Sequence, residues 1–272
     1  MLFHNDYEFN SRNQQRLTQL ILDTANNHSK LLPIRLDLYL SSDNFLDITY
    51  HDIKQCWQNF QNNMRHNSLF DHLLSWAANI EYGEDRGWHI HVLMLFNGQR
   101  LKDDYGKAQD LGDYWVSLVE QRDSNYIGNY YSGNTHKHRY ETLALKTIDS
   151  SQRSYETDLQ TLINACSYLA KTSSETETKM LAEGAFQQRS DHRQFERRFF
   201  IAQVKPKSNR GRPRNFQQSS QLPKDFVLPS RRNQQHSDKY STASPKTSTP
   251  TIGVSIDNFH NRWAYAASLL ND

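Results

Sequence analysis

A predicted β-hairpin at residues 77–96 is the feature that most limits how this chain can fold. Two runs of strand-forming residues, AANIEY and WHIHVLMLF, flank the loop GEDRG, a pattern typical of two antiparallel strands joined by a short connection. Beyond Val92 the second run is apolar on both faces, as in a strand buried on both sides. The sequence therefore predicts an antiparallel sheet with this strand in a central position.

Two histidines at the start of the second run are the strongest functional signal. His89 and His91 share one face of the strand. Burying two imidazoles costs free energy unless each is hydrogen-bonded or bound to a metal. If Tyr82 pairs with Trp88 across the loop, Glu81 lies opposite His89, with β-carbons about 5 Å apart. In the same register Asn79 faces His91.

Glu81, His89 and His91 together predict a divalent-metal site. Two neutral imidazoles and one carboxylate leave positions open for water or a phosphate oxygen, as a catalytic metal requires. Mixed nitrogen and oxygen ligation suits Mg²⁺ or Mn²⁺ in use, and Zn²⁺ in principle. A His-x-His pair alone is more often surface or hydrogen-bonded core. The second pair, His136 and His138, lies in the polar loop THKHRY, where solvent exposure explains it.

The remaining patterns predict one α+β domain followed by a tail. The chain has 272 residues, of which 36% are hydrophobic and 23% charged, enough for one sizeable core. Helices are predicted at residues 11–21, 50–64, 69–76, 103–121 and 156–171, and around DHRQFERRFF; strands are predicted at 33–41, 77–82, 88–96, 125–131 and 142–148.

The predicted helix at residues 156–171 contains a second functional pair. At about 100° per residue, Tyr168 and Lys171 lie about 60° apart on the side opposite the apolar stripe. Such neighbours could place an ammonium beside a phosphate that the phenol attacks. Without the histidines, an exposed Tyr and Lys would be the better interpretation. The apolar stripe comprises Leu159, Leu162, Ile163, Cys166, Leu169 and Ala170.

Basic residues are concentrated in one short stretch. The net charge is +2, but residues 186–214 contain 9 Lys and Arg against 2 Asp and Glu. This asymmetry predicts contact with a polyanion, although a solvated basic helix is about as good an explanation. The sequence RGRPR matches an AT-hook, whose arginines enter a narrow A·T minor groove; the alternative is a generic basic linker. The predicted DNA-binding residues are Lys205, Lys207, Arg210, Arg212 and Arg214.

Composition divides the chain into four segments. A globular domain at 1–200 is followed by the basic segment 201–214, a disordered linker at 215–250 and a short amphipathic helix at 251–272. The chain shows neither an N-terminal apolar signal nor an apolar run of about eighteen residues, and its two cysteines have no paired spacing. A soluble, reduced cytoplasmic protein is expected.

His-hydrophobe-His on a strand and Tyr-x-x-Lys on a later helix together resemble the HUH endonuclease superfamily. IEYGEDRGWHIHVLMLF is similar to the metal-site hairpin of viral replication proteins. More narrowly, residues 30–200 resemble inovirus-type and prophage-borne replication proteins of the YagK/YfjJ C-terminal-domain family. IRLDLYLS occupies the place of the first-strand motif but is only loosely similar, and no residue role is assigned to it.

The resemblance implies a ferredoxin-like HUH nuclease fold with both histidines on a central strand. It also implies roles: His89, His91 and Glu81 bind Mg²⁺ or Mn²⁺, Tyr168 is the nucleophile, and Lys171 positions or neutralises the scissile phosphate. Attack would nick single-stranded origin DNA, leaving a 5′-phosphotyrosine and a free 3′-hydroxyl that primes replication.

The implied activity is initiation of rolling-circle replication of a phage, prophage or plasmid in a bacterial cytoplasm, with a host helicase and polymerase as partners. A single tyrosine in the motif argues against two-tyrosine strand-transfer schemes. The alternatives are a transposase or relaxase-type strand transferase and a non-catalytic DNA-binding regulator on the same fold. A purely structural partner protein would leave the basic segment unexplained.

Overall fold

A computed structural model describes residues 8–41, 48–84, 86–122, 125–135, 145–189 and 192–202. The helices are α1 (Ser11–Asn27), α2 (Tyr50–Asn63), α3 (Asp104–Arg122), α4 (Tyr155–Cys166) and α5 (Ser174–Ala182), with 3₁₀ helices at Ser68–Phe70 and Ser167–Ala170. The strands are β1 (Lys30–Ser41), β2 (Leu73–Gly83), β3 (Gly87–Asn97), β4 (Ile127–Ser132), β5 (Ile148–Asp149), β6 (Phe186–Arg189), β7 (His192–Phe195) and β8 (Phe199–Ile201).

Six strands form one antiparallel sheet. Their order is β4-β1-β3-β2-β8, and β5 pairs with the first residues of β1. The strands β6 and β7 form a separate two-stranded sheet. The predicted α+β class is therefore confirmed, and β3 occupies the centre of the main sheet.

The predicted hairpin register is confirmed. Tyr82 pairs with Trp88, and Glu81 pairs with His89. Asn79 pairs with His91, as the same register requires. The strand β3 is buried over its whole length except for its last residue, which agrees with its apolar character on both faces.

Helices cover both faces of the sheet. On one face, α2 and α3 pack on the even-numbered residues of β1 and β3, from Leu32 to Leu40 and from Trp88 to Phe96. On the other face, α1 and α4 pack on Leu31, Leu93 and Leu95. This second apolar layer reaches Leu93 on β3, and the next two residues of that strand on the same face are His91 and His89. The apolar cover thus gives way to the histidines.

Two predicted helices are corrected to strands. Residues 69–76 were predicted to be helical, but a 3₁₀ helix ends at Phe70 and β2 begins at Leu73. Because β3 is buried as far as Phe96, it needs a paired neighbour along its full length, and Leu73 pairs with Phe96. The sequence DHRQFERRFF was also predicted to be helical, but it contains β7 and the first two residues of β8, and β8 extends the sheet beyond β2.

Smaller differences concern the ends of elements. Asn10 caps α1, because its side chain accepts a hydrogen bond from the backbone amide of Asn13. The helix predicted to run to residue 171 ends its α-helical part at Cys166 and continues as a 3₁₀ helix. Of the strand predicted at residues 142–148, Ile148 lies in β5.

Several predictions fall outside the described residues. They concern His136 and His138, the basic segment with its AT-hook-like sequence, the linker at 215–250 and the terminal helix at 251–272. In the part of the chain that is described, none of the helices has both the length and the apolar character needed to cross a bilayer.

Candidate active site

Three side chains from the β2–β3 hairpin form a buried cluster of metal-binding groups. One donor atom each from Glu81, His89 and His91 lies within 4.8 Å of the others. All three residues are at most 4% exposed. Residues on directly paired positions of neighbouring strands point to the same face of a sheet, so the hairpin register alone brings Glu81 and His89 together.

His89 is oriented by the backbone at the start of its own strand. Its Nδ1 lies 3.0 Å from the carbonyl oxygen of Gly87. If Nδ1 carries the proton and donates to this carbonyl, Nε2 is the nitrogen with a free lone pair. The ring also stacks on Tyr39, with centroids 5.8 Å apart. These contacts hold the imidazole in an orientation suited to metal ligation.

His91 is oriented by Asp37, which the sequence prediction did not assign to the site. The Nδ1 of His91 lies 2.7 Å from Oδ1 of Asp37, because β1 and β3 place these residues opposite each other. A carboxylate behind a metal-binding imidazole fixes its tautomer and increases its basicity. The available signal was the alternation in β1, where Arg35, Asp37 and Tyr39 interrupt a run of leucines.

The Glu81 carboxylate is held through both oxygens. Its Oε1 accepts a hydrogen bond of 2.7 Å from the side-chain amide of Asn79, and its Oε2 lies 2.6 Å from Nζ of Lys171. The same Oε2 is 3.6 Å from Nε2 of His91. Lys171 thus provides the positive charge that balances this buried carboxylate.

The cluster has a donor set that fits a divalent cation. One carboxylate oxygen and two imidazole nitrogens converge, and the Nδ1 atoms of His89 and His91 have acceptors behind them. This combination of a mixed nitrogen and oxygen set with supporting acceptors is typical of protein metal sites. The buried group could therefore hold a metal ion through Glu81, His89 and His91.

The buried charges shift the protonation of the two histidines in opposite directions. Burial, reinforced by the neighbouring His91, lowers the pKa of His89 to about 3. Burial also acts to lower the pKa of His91, but the charge and hydrogen bond of Asp37, together with those of Glu81, outweigh it and raise that pKa. His89 is thus neutral at pH 7, as a ligand must be, whereas His91 is the ring that retains a proton more strongly.

The two carboxylates remain ionised in spite of their burial. Desolvation acts to raise both pKa values. For Asp37, the charges of His91 and Arg35 overcome this effect and lower the pKa. For Glu81, the hydrogen bond and charge of His91, followed by those of Lys171, lower the pKa to about 2. The site therefore presents two fixed negative charges at neutral pH.

Tyr168 lies directly against the Glu81-His89-His91 cluster. Its ring meets the ring of His91 edge to face, with centroids 5.1 Å apart, and the guanidinium of Arg35 lies 4.2 Å from the Tyr168 centroid on the ring face. The phenol oxygen is buried and makes no hydrogen bond within the described residues. Burial raises the pKa of Tyr168 well above its ordinary value, and the charge of Arg35 opposes that rise.

The 3₁₀ helix that holds Tyr168 is fixed by the segment preceding α1. The amide of Asn10 donates to the Ala170 carbonyl, and the amide of Thr172 donates to the Glu8 carbonyl. Phe9 and Lys171 form a β-bridge between these two hydrogen bonds. In 3₁₀ geometry residues three apart eclipse one another, and Tyr168 and Lys171 accordingly both face the cluster.

The structure brings together five of the sequence-predicted site residues and adds two. Glu81, His89, His91, Tyr168 and Lys171 meet at one end of the sheet face covered by α1 and α4, and Asp37 and Arg35 of β1 complete the group. The predicted DNA-binding residues, from Lys205 to Arg214, lie outside the described part of the chain.

The chain matches no known protein-family model, and no curated protein is significantly similar to it.

Proposed function

We propose that this protein is a metal-dependent DNA-nicking endonuclease of the HUH type, with Tyr168 as its nucleophile. The observation that supports this most directly is the contact between the Tyr168 ring and His91 of the Glu81-His89-His91 cluster. A phenol and a potential metal site in contact are what tyrosine attack on a polarised phosphate requires.

The strand connectivity is consistent with this proposal. The run β1-α2-β2-β3-α3-β4 with strand order β4-β1-β3-β2, in which β3 is central, supports the proposed ferredoxin-like arrangement. Among the elements outside this run, α1, α4 and the 3₁₀ helix at Ser167–Ala170 hold Tyr168 beside His91. Fold alone does not define an activity, so the proposal rests on the site.

The proposed reaction is a phosphoryl transfer from DNA to tyrosine. A bound divalent ion would polarise the scissile phosphate. The Tyr168 oxygen attacks phosphorus, and the bond from phosphorus to the 3′-oxygen breaks. The phenol loses its proton, and the departing 3′-oxygen gains one. Lys171, at 2.6 Å from Glu81, is close enough to the cluster to neutralise the phosphate. The products are a 5′-phosphotyrosine and a free 3′-hydroxyl.

The biological role that we propose is initiation of rolling-circle replication of a phage, prophage or plasmid. Single-stranded origin DNA would be the substrate, Mg²⁺ or Mn²⁺ the metal, and a host helicase and polymerase the later partners. The basic segment that includes Arg210, Arg212 and Arg214 would add affinity for duplex DNA near the nick.

A covalent-adduct assay tests the proposal. The protein is incubated with Mn²⁺ and a 3′-labelled pool of single-stranded DNA, because the 5′-phosphotyrosine retains the 3′ fragment, and adducts that survive denaturation are counted. The wild type is expected to form the adduct, and Tyr168→Phe and the double variant His89→Ala/His91→Ala are not. Tyr105→Phe is the matched control, since Tyr105 is 51% exposed on α3.

Each outcome assigns a role. An adduct in Tyr168→Phe would show that another residue is the nucleophile. The pool includes the origin sequence of the parent element. If the wild type and all variants bind this DNA but none forms an adduct, the result would favour the non-catalytic regulator.

A further inference from the structure

We infer that Arg35 is a positioning residue of this site, which holds the ring of Tyr168 against His91. The effect of Arg35 on catalysis rests on the proposed function, whereas its effect on the mobility of the Tyr168 ring can be measured independently. Arg35 lies on β1 two residues before Asp37 and therefore on the same face of the sheet. That face is the one on which the metal-binding cluster lies.

Arg35 contacts both halves of the site. Its guanidinium carbon lies 4.2 Å from the centroid of the Tyr168 ring, and its Nη2 lies 3.6 Å from Oδ2 of Asp37. Asp37 in turn binds His91 at 2.7 Å. One planar cation thus connects the proposed nucleophile to the residue that orients a metal ligand. The Arg35 side chain is only 14% exposed, so these contacts are largely shielded from water.

The backbone of Arg35 is anchored by the two residues after Ser132, the last residue of β4. Its amide donates to Oδ1 of Asn134 at 2.9 Å, and its carbonyl accepts from the Gly133 amide at 3.1 Å. Gly133 also lies beside the Arg35 stem, since a β-carbon at that position would be 3.4 Å from Cδ of Arg35. The Arg35 side chain therefore extends from the residues that follow β4 to the ring of Tyr168.

The orientation of the Tyr168 oxygen depends on ring packing. Because the phenol makes no hydrogen bond within the described residues, its direction is set by contacts with the ring. His91 meets that ring at an interplanar angle of 86°, and Arg35 lies over its face. A flat guanidinium stacks on an aromatic face in a way that a lysine ammonium cannot. Misplacing an attacking atom by about 1 Å can slow a reaction about 10²-fold.

The test compares Arg35→Met and Arg35→Lys with the wild type. Full-length protein with isotope-labelled tyrosine reports the ring-flip rate of Tyr168 by NMR, with the signal assigned from Tyr168→Phe. Both variants are expected to flip faster. At saturating DNA, both should form the adduct about 10²-fold more slowly, with KM for DNA changed by less than about threefold. Arg16→Met is the matched control. Arg16 is on α1, and its guanidinium carbon lies 5.7 Å from the ring centroid of Phe199, so this change also removes an arginine from an aromatic ring.

The outcomes separate positioning from other roles. Full rescue by Arg35→Lys would mean that charge, rather than stacking, is what matters, and would overturn the inference. A higher KM with an unchanged saturated rate would make Arg35 a DNA contact and would also overturn it. If the wild type forms no adduct, the proposed function fails, and the ring-flip rate alone decides whether Arg35 holds Tyr168. If Arg35→Met does not fold, Arg35→Lys, which retains a cation beside Asp37, provides the comparison.

Discussion

At the scale of single residues, the site is an assembly of buried charges in which each carboxylate has two partners. Asp37 lies beside Arg35 and His91, and Glu81 lies beside Lys171 and His91. Buried ions are tolerated when each has a partner, and removing one partner leaves an uncompensated charge. Substitution of a charged residue that contacts one of the proposed metal ligands is therefore expected to weaken metal binding, even if that residue does not bind the metal itself.

Asp37→Asn should weaken Mn²⁺ binding by about 10- to 100-fold, because the carboxylate that orients His91 is lost. Isothermal titration calorimetry measures the change. Asp149→Asn is the matched control, since Asp149 pairs with Lys30 at 2.7 Å on a different part of the sheet and should leave the affinity unchanged. An Asp37→Asn affinity within twofold of the wild type would show that the hydrogen bond to His91 does not support metal binding.

The affinity for Mn²⁺ should increase with pH. A metal must displace the proton of His91, whose pKa is raised mainly by Asp37 against the effect of burial. The affinity is thus lowest below that pKa and levels off above it. His89, with a pKa of about 3, is already neutral and adds no dependence near pH 7. Titrations between about pH 5.5 and 8.5 measure the effect. A flat profile would contradict it, and Asp37→Asn should move the rise to lower pH.

At the scale of elements, the close approach of α3 to β4 fixes one edge of the sheet. Gly128 on β4 lies so near the helix that a β-carbon there would be 2.7 Å from Cα of Val116. Trp115 on the same helix donates its indole N–H to the Tyr39 carbonyl of β1 at 2.9 Å. The helix is thus tied to two neighbouring strands, including the strand that contains Asp37.

Gly128→Ala should destabilise the protein by about 1–3 kcal/mol, because the backbone of α3 must move away from β4. By backbone entropy alone, alanine would instead stabilise the strand by about 0.4–1 kcal/mol. Urea unfolding decides the sign. Ile127→Ala is the control on the same strand, since Ile127 is 52% exposed and the change should stay within about 0.5 kcal/mol. A stability gain in Gly128→Ala would contradict the prediction, because it would mean that α3 and β4 have room for a β-carbon at residue 128.

At the scale of the whole molecule, the two faces of the sheet have different roles. The layer of α2 and α3 covers one face with a continuous apolar core that includes Trp57, Phe60 and Trp115. The layer of α1 and α4 covers only part of the other face, and the buried polar cluster lies where that cover ends. A metal bound there would join β2 and β3 of the folded sheet and should therefore stabilise the whole domain.

Mn²⁺ should raise the unfolding temperature of the wild type. At free Mn²⁺ about 100-fold above Kd, the gain in unfolding free energy is about 2.7 kcal/mol, because the ion binds the folded state. For a protein of this size, that gain corresponds to roughly 5–10 °C. Thermal denaturation with Mn²⁺ and with EDTA measures the difference. The double variant His89→Ala/His91→Ala should show no shift, and an equal shift in that variant would place Mn²⁺ elsewhere.

The sequence by itself determined the hairpin and the arrangement of Glu81, His89 and His91 on it. The short loop defines the register, and a slip of one residue would turn every side chain to the opposite face. The apolar stripe of α4 and the following 3₁₀ helix was predicted for a similar reason, and all six of its residues are buried. Both features depend on residues that are near each other in the chain.

The tertiary structure decided which elements are neighbours. Asp37 reaches His91 because β1 pairs with β3, although 54 positions separate them. Lys171 reaches Glu81 because the 3₁₀ helix after α4 is held by the segment before α1. Residues 69–76 have helical spacing, yet β2 begins within them to complete the pairing of β3. Local patterns define the apolar face of an element, but its neighbours are chosen by the burial that all elements achieve together.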